Sequence, residues 1–175
     1  KRAAGLPRAA WGMTLAHFGL AITVAGVTGA GLWEVEGIQI MRPGDKVNIS
    51  GYEFTFKGAE TIRGPNYAAE RGNFTIREDG QFVADLSGER RRYLVSGDET
   101  TEAGIYTTFL YDLYAVLGEP NGRGGWTTRL YYKPLVPWLW LGSIIMVLGG
   151  IVSLTDRRLR IGAPSRRSSR AAMVP

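Results

Sequence analysis

Two long stretches of this chain carry no formal charge, and between them apolar and polar residues alternate. Trp11 to Trp33 (WGMTLAHFGLAITVAGVTGAGLW) is apolar, small or Thr throughout, apart from His17. Leu135 to Leu154 is the second such stretch. At about 1.5 Å per helical residue, each is long enough for a hydrocarbon core of roughly 30 Å. A soluble amphipathic helix would keep a polar face, and neither run has one. Two transmembrane helices are therefore expected. The first run exceeds a usual signal-peptide core and has no convincing small-residue cleavage site before the next domain.

Between the helices, residues 36–133 read as strands. GIQIMRPGDKVNI reads as strand, Pro-Gly-Asp turn, strand, and YEFTF (Tyr52–Phe56) alternates in period two. NFTIREDGQFVADL places two alternating runs around Asp79-Gly80, the pair that favours a type I′ hairpin. RRRYLV, IYTTFLYDLYAVLG and GWTTRLYYK continue the pattern, with turns at Gly64-Pro65-Asn66, Gly97-Asp98 and Glu119-Pro120-Asn121-Gly122. No stretch here has a helical period, though Thr101 to Gly104 is read as a turn. The expected fold is an integral membrane α-helical protein with two transmembrane helices and an inserted extracytoplasmic all-β domain, a small antiparallel barrel or sandwich of six to eight strands.

Aromatic residues sharpen the membrane reading. Trp11 and Trp33 bracket the first run, while Tyr131, Tyr132, Trp138 and Trp140 crowd the start of the second, as in an interfacial belt. Charge then orients the chain. Lys1, Arg2 and Arg8 precede the first helix; Asp156 and six arginines follow the second, so the two tails sum to +8 and the loop to −3. Short positive flanks stay cytoplasmic. The expected organisation is a cytoplasmic basic flank (1–10), a first transmembrane helix (11–33), an extracytoplasmic β-domain (34–134), a second transmembrane helix (135–154) and a basic, disordered cytoplasmic tail (155–175). The loop then lies outside the cytoplasmic membrane. The net charge of +5 follows from this topology and is no argument for nucleic acid; the tail suits anionic headgroups of the bilayer. The chain begins at Lys1 rather than Met, as a processed product or a piece of a longer protein would.

Candidate chemistry is sparse. No cysteine is present, which excludes a thiol nucleophile, a CxxC pair or a thiolate metal site within this chain. There is no GxSxG, Walker or HExxH pattern, so no catalytic residue is assigned. Arg90-Arg91-Arg92 could take an anion but reads better as a solvated strand end or edge guard. Gly122, Gly124 and Gly125 read as a loop.

His17 stands out. Six residues past Trp11, it lies about 9 Å inside the inner interface. An ionisable ring there needs a partner. Three roles remain open from the residues alone: a hydrogen bond to another helix, ligation of haem or metal, or proton relay. Gly12, Ala16, Gly19, Thr23, Gly26 and Ala30 form a separate stripe at alternating steps of four and three, the pattern of close helix contact in membranes. At 100° per residue, His17 projects about 120° from that stripe.

GMTLAHFGLAITVAG, MRPGDKVNISGYEFTFKG, IRGPNYAAERGNF, TEAGIYTTFLYDLYAVLGEP and KPLVPWLWLGSIIMVLGGIVSLTDRRLR together resemble the carboxy-terminal part of the CcmF family. That family is the haem-lyase subunit of cytochrome c maturation. The resemblance implies a haem b in the membrane held by two histidines, with His17 as one axial ligand of its iron. It also implies partners: the remainder of the haem-lyase membrane bundle, other maturation subunits including a haem chaperone, apocytochrome c, and quinol as a candidate electron donor. The chain lacks the family's other membrane histidine, its pair of external haem-holding histidines and its tryptophan-rich WWD segment. As it stands, it is not a complete lyase. The implied function is the carboxy-terminal portion of a cytochrome c haem lyase, contributing one axial His and a periplasmic domain near the haem-attachment site. The alternative is a non-enzymatic two-pass anchor that displays a β-domain for protein interaction. It explains the topology equally well and leaves His17 as a packing residue.

Overall fold

In lipid every backbone amide needs a partner from within its own segment, so an uncharged run of this length has helix as its one economical state. The computed structural model describes residues 7–156 and forms both helices. The basic stretches 1–6 and 157–175 lie outside the described residues. Helix α1 spans Arg8–Leu32 and α2 spans Val136–Leu154, both long and apolar enough to cross a membrane. Helix α1 begins three residues earlier than the apolar run suggests. Pro7 supplies its carbonyl to the amides of Ala10 and Trp11 at 3.0 and 3.4 Å, and a basic residue in the first turn can snorkel. At the head of α2, Leu135 takes a positive φ of 60° to turn the chain into the helix. Pro137 follows in the first turn, where its missing donor costs little.

Among the described residues, nine strands lie between the helices: β1 (Val35–Met41), β2 (Lys46–Ile49), β3 (Tyr52–Arg63), β4 (Tyr67–Glu78), β5 (Gln81–Tyr93), β6 (Glu99–Glu102), β7 (Gly104–Thr107), β8 (Tyr111–Pro120) and β9 (Trp126–Pro134). They form two antiparallel sheets, ordered β1-β9-β8-β7 and β2-β3-β4-β5-β6. The architecture is therefore a sandwich rather than a barrel, with one strand more than the expected upper limit. The excess comes from four-residue strands too short to announce themselves. Thr101 to Gly104, read as a turn, is instead where β6 ends and β7 begins. The IYTTFLYDLYAVLG run is broken at Thr108–Leu110 into the β7–β8 hairpin. RRRYLV is the end of the long strand β5 together with the turn that follows it.

The core is built by the inward halves of the alternation. Phe54, Phe56, Phe74, Ile76, Leu113, Leu117 and Leu130 are at most 1% exposed, and Phe56 meets Phe74 at 5.0 Å between ring centroids. Each such side chain contributes about 1.5–3 kcal/mol. The Asp79-Gly80 turn has positive φ at both residues, 48° and 78°, as a type I′ hairpin requires. Gly88 permits a close crossing of the sheets. A Cβ added there would lie 2.8 Å from the carbonyl oxygen of Ala115. Tyr131 and Tyr132 belong to strand β9 and not to the head of α2. Tyr132 packs on Tyr52 and Tyr111 in the sandwich, at 6.0 and 5.3 Å, and Tyr131 meets Tyr114 across the outer face.

The described chain divides into two compact units. One is Val24–Trp140, which holds the sandwich and the adjoining helix ends; the other comprises the chain on either side of it.

Candidate functional site

In the second unit, α1 and α2 meet backbone to backbone along the stripe of small residues. A Cβ added at Gly12 would fall 2.5 Å from the Gly149 carbonyl oxygen, and one at Gly19 would fall 2.6 Å from that of Gly142. From the opposite helix, a Cβ at Gly149 would meet Ala16 N at 2.5 Å and Gly12 O at 2.7 Å. Only glycine permits this approach at those positions. The second residue past α2 completes the joint. Asp156 is 7% exposed, and its Oδ2 accepts the Ala9 amide at 3.0 Å. A carboxylate from the far end of the chain thus satisfies one of the orphan donors at the start of α1 and complements its dipole.

His17 sits off this contact face, as the periodicity predicts, and is exposed. Its ring is held from within its own helix: Nδ1 lies 2.8 Å from the Met13 carbonyl oxygen. A carbonyl can only accept, so Nδ1 carries the proton. In the neutral ring, that leaves the Nε2 lone pair free. Imidazole in this tautomer, oriented through its other nitrogen, is the usual preparation of a metal ligand. Beside the ring an open cleft of about 450 Å³ runs between the helices, lined by Gly12, Met13, Ala16, Gly149 and Gly150. Gly150 faces open space. No cluster of three or more metal-binding side chains occurs among the described residues. Among the described residues, the cleft thus offers one nitrogen donor, His17 Nε2, flanked by room.

Two charged groupings in the sandwich were not visible from spacing. Arg71 on β4, Glu89 on β5 and Glu102 on β6 stand in register across three strands. Glu89 Oε1 accepts from Arg71 Nε at 2.8 Å and Oε2 from Arg91 Nε at 2.8 Å; Arg91 also reaches Glu102 at 3.6 Å and lies 4.7 Å over the Tyr67 ring. Burial pushes the Glu89 carboxyl up, but the hydrogen bonds and charges of Arg91 and Arg71 outweigh it and hold the group below the ordinary range. Arg90 pairs with Glu99 at 2.7 Å. Two of the three consecutive arginines are thus engaged by the protein's own carboxylates, in keeping with a structural role for that run. Where the chain enters and leaves the sandwich, Glu34 and Lys133 pair at 3.1 Å. Lys133 also lies over Tyr131 and Tyr114, at 5.0 and 5.6 Å. Next to it Asp112, 5% exposed, accepts the Tyr114 hydroxyl at 3.3 Å. Burial pushes its carboxyl above the ordinary range, offset in part by the hydroxyls of Thr107 and Tyr114.

Residues 32–134 match the family model described as the CcmF C-terminal beta-sandwich. The chain is 42% identical over 173 residues to the cytochrome c-type biogenesis protein CycK of Rhizobium meliloti, covering 99% of this chain and 26% of that protein. It is 41% identical over 164 residues to the cytochrome c-type biogenesis protein CcmF of Pseudomonas aeruginosa (94% and 25%), and 41% identical over 150 residues to that of Escherichia coli K12 (86% and 23%). It thus spans about a quarter of the length of these curated relatives. Among solved structures, the chain titled cytochrome c haem lyase CcmF shares the fold, with a TM-score of 0.67 over 82% of this chain and 24% of that one, at 18% identity.

Proposed function

This chain belongs to the CcmF family and contains its carboxy-terminal β-sandwich; from that premise we propose that it is the carboxy-terminal module of a cytochrome c haem lyase, in which His17 is one of two axial ligands of a membrane haem b. The observation that carries the reading is the hydrogen bond from His17 Nδ1 to the Met13 carbonyl, which leaves the Nε2 lone pair as the free donor of the neutral ring. A haem b bound there would supply a one-electron couple within the membrane. The chain's own part is to hold the ring. The glycine contacts with α2 fix the helix, Met13 fixes the tautomer, and Gly149 and Gly150 keep the flank open. A second ligand would have to come from the rest of the membrane bundle.

The topology of this assignment rests on charge and length, and its attachment site and partners on the family. Helices α1 and α2 span the inner membrane, both termini are cytoplasmic, and the sandwich stands in the periplasm beside the site where haem meets apocytochrome c. Other maturation subunits, the haem chaperone and quinol belong to this assignment as partners of the assembled protein.

The test is the optical spectrum of the intact membrane protein carrying His17→Ala and His17→Gly. Each substitution is expected to remove the sharp α and β bands of bis-imidazole haem while the sandwich keeps its circular dichroism. Added imidazole is expected to restore the bands in His17→Gly. Unchanged bands in His17→Ala would refute the ligand role and leave the two-pass anchor as the better reading.

A further inference from the structure

The end of the sandwich from which the helices leave carries three hairpin turns, and one differs from the others. Tyr111, paired with Pro134 at the foot of β8 and β9, lies 5.3 Å from Tyr52 at the start of β3. Tyr52 pairs with Glu78, and Glu78 with Gln81. The β2–β3, β4–β5 and β7–β8 turns therefore share this end. The first two are Ser50-Gly51 and Asp79-Gly80, both polar. The third is Thr108-Phe109-Leu110, inside a stretch from Ala103 to Tyr111 without a formal charge. Phe109 is 64% exposed and Leu110 55% exposed.

This turn is bound to the head of α2. Leu110 O accepts the Leu135 amide at 2.7 Å, and Phe109 O accepts Trp138 Nε1–H at 3.1 Å. The Phe109 and Trp138 rings stand 5.9 Å apart. Thr108 Oγ1 accepts the amides of Leu110 and Tyr111 at 3.3 and 3.0 Å, so the turn is held in shape from below. Two large apolar side chains are thereby presented on a rigid loop at the level of a helix-end tryptophan, the residue type that favours the headgroup layer. Bare apolar surface at that level, continuous with the helix end, suits lipid and not water.

We propose that the β7–β8 turn is an interfacial anchor, with Phe109 and Leu110 inserted at the headgroup–acyl boundary of the outer leaflet beside α2. The inference rests on the reading of α2 as a membrane span. Together with the two helix exits it gives the sandwich a third point of attachment to the bilayer, which fixes its tilt.

Nitroxide labels on single cysteines test this in the intact membrane protein, in nanodiscs, otherwise cysteine-free. Phe109→Cys and Leu110→Cys are compared with Ile144→Cys on the exposed face of α2. They are also compared with Val95→Cys, which is 97% exposed beyond the other end of β5, about 40 Å away at the rise of a strand. The expected result is that labels at 109 and 110 collide with oxygen more than with an aqueous nickel chelate, and at a shallower depth than the label at 144. Labels that behave as at 95, with 144 still rich in oxygen, would overturn the inference and leave the membrane reading standing. Labels shielded from both reagents would assign the turn to a protein contact and also overturn it. A nickel-accessible label at 144 would remove α2 from lipid, and the inference with it.

Discussion

Glu89→Gln probes the electrostatics of the outer face of the five-stranded sheet. Glu89 is 8% exposed, with both carboxylate oxygens engaged: Oε1 by Arg71 at 2.6–2.8 Å and Oε2 by Arg91 at 2.8 Å. Glutamine keeps the volume, removes the charge, and turns one acceptor into an amide donor that faces a guanidinium. Hydrogen bonds to charged groups contribute about 1.5–3 kcal/mol each when dry. The arginine side chains are 38% and 27% exposed, so solvent screens much of this. A net loss of about 1–2 kcal/mol is expected, or roughly 5–10 °C in Tm for a domain of about 100 residues. The pH dependence has a definite sign. The folded carboxyl titrates below its unfolded value, so its stabilisation is complete well above the unfolded pKa of about 4.3 and is lost as pH falls through the folded one. Thermal unfolding of the full chain in detergent, followed by circular dichroism, is expected to show the full gap between parent and Glu89→Gln at pH 7. The gap should close in acid. Equal Tm values at pH 7, or a gap that widens on acidification, would refute the reasoning.

Asp112→Asn is expected to act in the opposite sense, stabilising the sandwich at pH 7 by about 1 kcal/mol or less. The raised folded pKa of Asp112 means that acid relieves the parent's burden, so this gain should vanish as pH falls past that value towards the unfolded one; denaturant midpoints at pH 7 and pH 4 check it. Gly149→Ala places a methyl 2.5 Å from Ala16 N and is expected to cost about 1–3 kcal/mol of helix-pair stability. Gly150→Ala meets nothing within 4 Å and serves as the helix-propensity control in the same detergent melts, expected to stabilise by up to about 1 kcal/mol. Leu117→Ala, at a fully buried site facing Gly72, is expected to cost about 3 kcal/mol in urea unfolding of the sandwich.

What could be read from the chain divides by range. Features encoded within one helical or strand period were legible: both helices, the Asp79-Gly80 turn, the small-residue stripe and the separate face of His17. The hydrogen bond from His17 to Met13 was also within reach, since four residues is one helical turn, yet nothing in composition distinguishes it from a ring turned outward. Features that depend on register between distant strands were hidden. Arg71 and Glu89 are 18 residues apart, and only the β4–β5 pairing makes them opposite. The break at Thr108–Leu110 escaped because its residues are as strand-prone as their neighbours; a bond to the head of α2 decides it. Asp156 read as one charge in a basic tail, because its role depends on an amide 147 residues away.

That distant cap has a mechanical consequence. A piston stroke of one helical turn would be about 5.4 Å. Such a stroke between α1 and α2 would tear Ala9 from Asp156 and drive Cβ atoms into backbone wherever a glycine now faces a carbonyl. The pair is a strut. The two helices slide together or not at all, and the height of His17 is fixed relative to α2.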